Sequence, residues 1–481
     1  MHDREPGFPG KRPSHSITRN QEPGATGSDA PEPGSLENIE KTAFPNGRVD
    51  NFEKVLDSLN LVRQTGRVTD VIGVVIESLG PNAAMGEYCM IYSSNGQPPI
   101  PCEVVGFRAD KLLLMPFGEM HGISPGCEVH AMGGPLSVMI SDDIQGRILD
   151  GLGNPIDGKG FIPGAKPYPV YAKPPHPLER DRITDPMPLG IRSVDGLLTV
   201  GKGQRMGIFS GSGVGKSSLM GMIARFTKAD VNVIGLIGER GREVREFIER
   251  DLGEEGLSRS IVVVATSDQS PLVRQKGAYL ATTIAEYFRD KGQDVVLMID
   301  SITRFAFAQR DIGLAIGEPP TTRGYTPSLF SVLPKLLERS GMSSRGSITG
   351  LYNILVEADD MNEPVADTVR SILDGHVVLS RDLAARNVYP SVDLLQSISR
   401  VMPDVTSERH YQLSRRFREI MSIYRESEDL INIGAYVKES NPKIDYAISK
   451  IELMEAYIKQ GLYEKANYKD SQLALKGLFE D

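Results

Sequence analysis

The sequence contains few cysteines, no long apolar run and no excess of positive charge. Its three cysteines, Cys89, Cys102 and Cys127, have no CxxC spacing, which argues against a disulfide framework and against a zinc site. No stretch approaches the roughly 18 apolar residues that cross a bilayer, and residues 1–7 lack the charged-then-apolar pattern of a secretory signal. We therefore expect a protein of the reducing cytoplasm that reaches membranes only through partners.

The charge balance also limits the classes of partner. The formal net charge is −9, so the chain has no general basic field to hold nucleic acid, and we expect no nucleic-acid partner. The 481 residues, 40% of them hydrophobic, can bury more than one core, and about three domains is the expectation from length.

The segment Ser-Gly-Ser-Gly-Val-Gly-Lys-Ser at 210–217 has the composition of a phosphate-binding loop. It follows an apolar run, Met206 to Phe209, that predicts a buried strand, and it precedes apolar residues at helical spacing from Ser218 to Phe226. At such a turn, successive backbone N–H groups can point at phosphate oxygens beside the positive end of the helix dipole. The residues predicted to hold a nucleotide here are Ser210, Gly211, Ser212, Gly213, Val214, Gly215, Lys216, Ser217 and Ser218.

Two side chains at the end of this loop have specific predicted roles. Lys216 is expected to neutralise the β and γ phosphates, and the Ser217 hydroxyl is expected to bind Mg²⁺. Ser210 stands where the usual pattern begins with glycine, whereas the Gly-Lys-Ser end is intact. The alternative for this segment alone is a flexible Gly/Ser loop.

Two acidic residues follow predicted strands further along the chain. Val295 to Ile299 is an apolar run that ends in Asp300, which places this carboxylate at the edge where such sheets bind ligands. Asp300 is predicted to hold Mg²⁺, mainly through water. Glu239 follows another predicted strand and is the candidate for orienting the attacking water, with Arg240 reaching the γ-phosphate. Alternatively, Asp300 is a helix cap, and the residues around Glu239 begin a solvated helix.

The composition changes at three places, which predicts four regions. Residues 1–48 are rich in Pro, Gly and Ser and are expected to be a disordered tail. Short β-rich runs with turn signals predict a small N-terminal β-barrel over 49–140. Repeated strand, loop and helix patterns over 141–402 predict an α/β nucleotide-binding domain, a mostly parallel sheet with helices on both faces. Helical spacing predicts a helical C-terminal domain over 403–481.

Seven segments together resemble one protein family. They are 210–217, Gly238-Glu-Arg-Gly-Arg-Glu, Glu286-Tyr-Phe-Arg-Asp, Asp300-Ser-Ile-Thr-Arg-Phe-Ala, 317–325, 358–367 and Pro390-Ser-Val-Asp-Leu-Leu-Gln-Ser-Ile-Ser. In these segments the chain is similar to the catalytic subunits of rotary ATP synthases and, within that family, most similar to flagellum-specific export ATPases and the related injectisome ATPases of type III secretion. The resemblance covers most of residues 50–440 and implies a RecA-like P-loop core.

The resemblance assigns roles to matching positions and implies ATP and Mg²⁺ as ligands. Glu239 takes the place of the catalytic carboxylate, which is Gln in the noncatalytic subunits of rotary synthases. Arg400 matches an arginine finger that reaches a neighbouring subunit's γ-phosphate, which implies a homohexamer; alone, Arg400 would be read as an ordinary surface ion pair. Tyr389 matches the aromatic residue that stacks on adenine, and Tyr436 is a weaker match for the opposite side of the base.

The function that the resemblance implies is an ATP-hydrolysing hexameric motor of flagellar protein export. Its implied partners are further copies of itself, regulator and stalk proteins, the export gate, and complexes of substrates with chaperones. Its implied location is the cytoplasmic side of the inner membrane at the flagellar base.

Three other functions remain open at this point. The injectisome ATPase has the same architecture, although the wording of 324–339 favours the flagellar branch. A proton-driven rotary synthase subunit lacks the Glu-Ala-Asp-Asp-Met-Asn-Glu-Pro text found at 357–364. A hexameric nucleic-acid translocase would need a basic, aromatic-rich surface, which the sequence does not indicate.

Overall fold

The computed structural model of the chain describes residues 64–93, 96–356 and 360–480. The predicted tail over 1–48, the first residues of the predicted barrel domain and the Glu-Ala-Asp text at 357–359 lie outside the described residues. The strands are β1 Thr65–Ile72, β2 Val75–Leu79, β3 Glu87–Tyr92, β4 Ile100–Arg108, β5 Lys111–Pro116, β6 Glu128–Pro135, β7 Ser137–Ile140, β8 Ile148–Asp150, β9 Lys166–Pro169, β10 Arg205–Ser210, β11 Val231–Ile237, β12 Ser260–Ala265, β13 Asp294–Asp300, β14 Gly341–Met342, β15 Ser347–Leu355, β16 Gly375–Leu379 and β17 Val392–Ser399.

The helices alternate with the strands of the central region and then follow one another to the end. They are α1 Arg192–Leu197, α2 Lys216–Phe226, α3 Gly241–Glu246, α4 Gly253–Ser258, α5 Pro271–Asp290, α6 Ile302–Ile316, α7 Pro327–Leu337, α8 Pro364–Ile372, α9 Arg381–Ala385, α10 Met402–Val405, α11 Glu408–Asn432, α12 Pro442–Ile458 and α13 Tyr468–Gly477.

The first six strands close into the predicted β-barrel. Their order is β1-β2-β5-β4-β3-β6, and neighbouring strands pair antiparallel. Residues of alternating position point inward, among them Val68, Ile76, Ile91, Val104 and Leu114, and each is at most 2% exposed. Closure leaves these strands without a free edge, which explains how a small domain can tolerate such short strands.

The predicted α/β domain is also confirmed. Its sheet has the order β17-β16-β10-β15-β13-β11-β12-β8, and all these neighbours pair parallel except β16 and β17. Every residue of β11 and β12 is buried, as expected for parallel strands covered on both faces. Val233 and Val263 belong to one apolar core, while Ile234 and Val264 belong to a second core on the opposite face.

This strand order brings the ends of three strands to one edge of the sheet. β10 ends at Ser210, β11 at Ile237 and β13 at Asp300. In the register between β11 and β13, Leu236 lies opposite Asp300. The phosphate loop, Glu239 and Asp300 therefore meet at the carboxyl edge, as predicted.

The chain after Glu239 forms a helix that does not stay regular. The α-helix ends at Glu246 and continues as a π-helical turn, Phe247–Leu252. The backbone of this turn presses on α2, because a Cβ at Gly221 would lie only 2.4 Å from the Asp251 carbonyl oxygen. This close approach, together with a hydrogen bond from Arg225 to the same carbonyl, accounts for the widened turn, which periodicity cannot show.

The last helices, α11, α12 and α13, form the predicted helical C-terminal region. Phe417, Met454, Tyr457 and Leu475 are buried together in it. In the described part of the chain, no helix combines the length and apolar character needed to traverse a bilayer.

Candidate active site

The phosphate loop is open toward solvent where a ligand would lie. Gly213 and Gly215 have φ values of 78° and 90°, a left-handed conformation that other residues adopt only with strain. No atom lies within 4 Å of the Cβ position of Gly213, and Ser212 and Ser217 are exposed. The loop therefore presents its backbone at the start of α2, where a phosphate can approach the amide groups.

Lys216, the first residue of α2, connects the two predicted carboxylates. Its Nζ lies 2.5 Å from Asp300 Oδ1 and 3.4 Å from Glu239 Oε1. Lys216 follows β10 across the loop, Glu239 follows β11, and Asp300 is the last residue of β13. Each of the three side chains is less than 15% exposed. The structure thus brings together the loop lysine and both acids.

The charges in this cluster shift one another's pKa values. Burial and the nearby Asp300 carboxylate raise the pKa of Glu239 to about 7, although Lys216 opposes the shift. Burial by itself would lower the pKa of Lys216, but Asp300 and Glu239 outweigh it, so the pKa of Lys216 lies above its usual value. A cationic lysine therefore stands beside a carboxyl group whose pKa suits proton transfer near neutral pH.

The predicted magnesium ligands fit an ion that keeps most of its water. The Ser217 hydroxyl makes no hydrogen bond within the described part of the chain, and Asp300 accepts only from Lys216 there. The described residues contain no group of three or more His, Cys, Asp or Glu that could form a protein cage for a metal. One hydroxyl and one carboxylate are the kind of donor set that Mg²⁺ uses with water and phosphate oxygens.

Two arginines lie near Glu239, and sequence reasoning named only one. Arg240 is largely exposed and pairs with Glu243 at 3.2 Å. Arg304, on α6, covers Gly238, where a Cβ would lie 2.7 Å from the Cβ of Arg304. The Nε of Arg304 is buried and has no hydrogen-bond partner among the described residues. The Asp300-Ser-Ile-Thr-Arg segment contained this signal, because an arginine four residues after Asp300 lies in the first turn of α6.

Tyr389 lies directly against the phosphate loop. The Cβ position of Gly215 is 3.3 Å from the Tyr389 ring. Tyr389 is 40% exposed, so part of its surface is accessible to a ligand. Ser391 Oγ donates to the Val214 carbonyl oxygen at 2.6 Å. Sequence reasoning missed Ser391, although it belongs to the Pro390 segment, because only the tertiary fold shows that the start of β17 touches the loop.

Tyr436 and Arg400 make no such contact with the loop in the described chain. Tyr436 lies between α11 and α12, and its hydroxyl donates to the Asn441 carbonyl oxygen at 3.0 Å. Arg400 is exposed at the far end of β17, where its N–H donates to the Asp374 carbonyl oxygen. Among the described residues, no carboxylate forms an ion pair with the Arg400 guanidinium.

Three family models match the chain, one each for the barrel, the central sheet and the C-terminal helices. The ATP synthase alpha/beta family beta-barrel domain matches residues 68–133, and the nucleotide-binding domain of that family matches residues 190–399. The T3SS EscN ATPase C-terminal domain matches residues 406–477.

Whole-chain relatives agree with these matches. The chain is 55% identical to the flagellum-specific ATP synthase of Bacillus subtilis, over 86% of this chain and 95% of the relative. It is 49% identical to the type 3 secretion system ATPase of Xanthomonas euvesicatoria, over 89% of this chain and 97% of the relative. The assembled ATPase EscN of enteropathogenic E. coli, solved in complex with its central stalk EscO, superposes with a TM-score of 0.80 at 42% identity, over 86% of this chain and 99% of that chain. The chain therefore belongs to the ATP synthase alpha/beta family, among its flagellum-specific and type III secretion ATPases.

Proposed function

We propose that this chain is the ATP-hydrolysing motor of flagellar protein export and that it works as a homohexamer. The observation that carries the proposal is the cluster of Lys216, Asp300 and Glu239 beside an open phosphate loop. That cluster supplies a phosphate-binding cation, a metal ligand and a proton acceptor, which are the groups that phosphoryl transfer to water requires.

Nucleotide binding is assigned to residues 210–218. The amide groups around Gly213 and Gly215 would contact the phosphates, and Lys216 would leave its carboxylates to pair with them. Mg²⁺ would be held by Ser217 directly and by Asp300 through water, and when bound it neutralises phosphate charge. Tyr389 would stack on adenine, and Tyr436 is proposed to cover the other side of the base.

Glu239 is assigned to orient the attacking water and accept its proton. Its pKa of about 7 allows it to be ionised at neutral pH and still accept a proton. Arg304 is proposed to assist at the same site, because its buried Nε, beside Gly238, has no hydrogen-bond partner among the described residues and can donate to a phosphate oxygen. Arg240 is proposed to leave its ion pair with Glu243 and to bind the γ-phosphate when a nucleotide is present.

The position of Arg400 supports a site completed by a neighbouring subunit. β17 starts opposite Leu379, at the edge of the phosphate loop, and ends opposite Gly375 at the other edge. Its eight residues span on the order of 20 Å, so Arg400 lies farther from the loop of its own chain than an arginine side chain extends. An arginine finger at this position must act on another subunit, and a closed ring provides one for every site.

The domain boundaries near residues 48, 140 and 402 are part of the proposal. The barrel strands end at Pro135 and the helical region begins with α10 at Met402, which supports the second and third boundaries. We assign the chain to the cytoplasmic side of the inner membrane, with a stalk protein, a regulator, the export gate and substrate–chaperone complexes as partners. The stalk complex of the EscN relative supports the first of these partners.

Two observations support the flagellar system over the injectisome: the wording of 324–339 and the flagellum-specific relatives of Bacillus subtilis and Treponema pallidum, which are 55% and 51% identical to this chain. Deleting the gene in its native strain and scoring both flagellar filaments and secreted effector proteins distinguishes the two. Loss of filaments with normal effector secretion is expected, and the reverse result would assign the chain to an injectisome.

A mixed-ring experiment tests the active site and the ring together. Lys216→Ala should weaken binding of ATP, while Glu239→Gln and Arg400→Ala rings should each hydrolyse ATP at least about a hundredfold more slowly than the wild type. Mixing Glu239→Gln subunits with Arg400→Ala subunits should restore part of the hydrolysis, because some interfaces then combine an intact Glu239 with an intact Arg400. Mixed rings that stay as inactive as the parents would contradict trans action, and hydrolysis stimulated by RNA would favour a translocase.

A further inference from the structure

Gln460 connects the C-terminal helices to the residue beside the phosphate loop. It lies in the turn that follows α12 and is only 5% exposed. Its backbone N–H donates to the Tyr389 carbonyl oxygen at 2.9 Å. Gln460, in the helical region, therefore holds the main chain of Tyr389, whose ring lies against Gly215.

The Gln460 side chain uses both ends of its amide. Oε1 accepts from the Arg192 N–H at 2.8 Å, and Nε2 donates to the carbonyl oxygens of Gly190 at 2.9 Å and Glu464 at 2.6 Å. Because an amide group has one acceptor oxygen and two N–H donors, this arrangement satisfies all of its donors. The turn after α12 is thus fixed to the chain that enters α1.

A second contact fixes the same turn to the helix of the phosphate loop. Arg225, in the last turn of α2, donates from Nη2 to the Leu462 carbonyl oxygen at 2.6 Å. The Arg225 guanidinium also lies 5.1 Å from the centre of the Tyr463 ring. Because α2 begins at Lys216, the turn is held by the element that also presents the loop lysine.

Tyr389 is therefore located by contacts on two sides. On one side, the neighbouring Ser391 is bound to Val214 of the loop. On the other side, the Tyr389 carbonyl is bound to the turn that contains Gln460. Stacking on a base requires a ring of defined position and tilt, so the turn controls how well Tyr389 can meet a base.

We propose that Gln460 is a positioning residue for the nucleotide base. Within the described part of the chain, none of its hydrogen bonds goes to residues 210–218, and it acts by holding the turn that fixes Tyr389. This inference rests on the proposed function, in which Tyr389 stacks on adenine. It predicts that loss of the Gln460 amide weakens recognition of the base and leaves recognition of the phosphates intact.

The test is Gln460→Met in the full-length protein, because methionine is similar in length and lacks the amide. The KM for ATP should rise about tenfold through the lost hydrogen bonds, while kcat stays within about twofold. Inorganic tripolyphosphate, used as a competitive inhibitor, has phosphates and no base. Its inhibition constant should therefore be unchanged.

Gln472→Met is the matched control, since the Gln472 amide also makes a hydrogen bond inside the helical region, to His410. Its KM for ATP should equal that of the wild type. Gln460→Glu is the second test variant: it keeps the acceptor for Arg192 and loses the two donations, and it should show the same split between ATP and tripolyphosphate. An unchanged KM in a folded Gln460 variant overturns the inference, as does an equal weakening of tripolyphosphate.

Tyr389→Ala separates this inference from the proposed function. If Tyr389→Ala raises the KM for ATP and the Gln460 variants do not, only the role of Gln460 is rejected. If Tyr389→Ala also leaves the KM unchanged, or the wild type does not hydrolyse ATP, the proposed base site or the proposed activity itself is rejected.

Discussion

Two lysines of this chain, Lys216 and Lys276, are each paired with carboxylates, but the pKa of the first is raised and that of the second is lowered. Lys216 lies at the edge of the sheet between Asp300 and Glu239, and its pKa is raised. Lys276, on α5, is fully buried against Glu103 of the barrel strand β4, with Nζ 2.7 Å from Oε1, and burial lowers its pKa. The first lysine has two acids beside an open loop, whereas the second has one acid and the Tyr171 hydroxyl in a closed junction.

The difference shows how the same residue types serve chemistry in one place and packing in another. The Lys216 cluster has more acids than the lysine neutralises, and a ligand can replace them as partners of the lysine. The Lys276 pair has no such surplus, and burial also raises the pKa of Glu103. Changes in the first cluster should therefore alter catalysis, and changes in the second should alter folding.

The largest expected effect is that of Glu239→Gln. The amide keeps the shape of the side chain and cannot accept a proton, so hydrolysis should fall by about 10²- to 10⁴-fold. Binding of fluorescent ATP should persist, because the phosphate loop is unchanged. Glu246→Gln, on the exposed partner of Arg242, is the control and should retain hydrolysis. Rapid phosphate release by Glu239→Gln would contradict the assignment.

Lys276→Met should lower the stability of the protein without lowering its hydrolysis of ATP. It leaves Glu103 buried without its partner, which typically costs about 3–5 kcal/mol of unfolding free energy. Urea unfolding followed by circular dichroism measures the loss, and hydrolysis per folded molecule should stay near the wild-type value. The double variant with Glu103→Gln should recover most of the stability. If Lys276→Met kept normal stability and lost hydrolysis, Lys276 would serve catalysis and not folding, contrary to the prediction.

The pH dependence of kcat/KM should report the raised pKa of Glu239. Because the carboxylate must be ionised to accept a proton, activity should fall as pH drops through about 7, by about tenfold between pH 8 and pH 6. The measurement needs saturating Mg²⁺ at each pH. Residual activity of Glu239→Gln gives the baseline, since the nucleotide titrates identically in both proteins. The same inflection in the variant would assign it to another group.

The smallest expected effect is that of Ser391→Ala. The variant removes the hydrogen bond to the Val214 carbonyl oxygen, which is worth about 1 kcal/mol and corresponds to about fivefold in nucleotide affinity. Equilibrium titration with fluorescent ADP measures it. Ser391→Thr keeps the hydroxyl and should restore most of the affinity, whereas equal losses in both variants would point to packing.

The sequence predicts those features that repeat locally. The strand predicted from Met206 to Phe209 is observed as Arg205–Ser210, and the acid predicted at the end of a strand is the last residue of β13. The meeting of Lys216 with Asp300 follows from these positions, because parallel strands place their carboxyl ends together.

Features that depend on distant contacts were not predictable in this way. The π-helical turn at 247–252 arises where the chain presses on Gly221, and the contacts of Ser391 and Gln460 join segments far apart in the sequence. Periodicity reports only which face of an element is apolar. The sequence therefore predicted the loop at 210–217 and the acids Glu239 and Asp300, which follow strands. It did not predict the contacts of Ser391 and Gln460, which hold the loop and Tyr389 in place.

Strand β17 has one end at the phosphate loop of its own chain and carries Arg400 at the other. In the proposed ring, the two ends of this eight-residue strand would belong to two consecutive active sites. A substitution within β17 would then affect both the nucleotide bound by its own chain and the arginine that enters the neighbouring site.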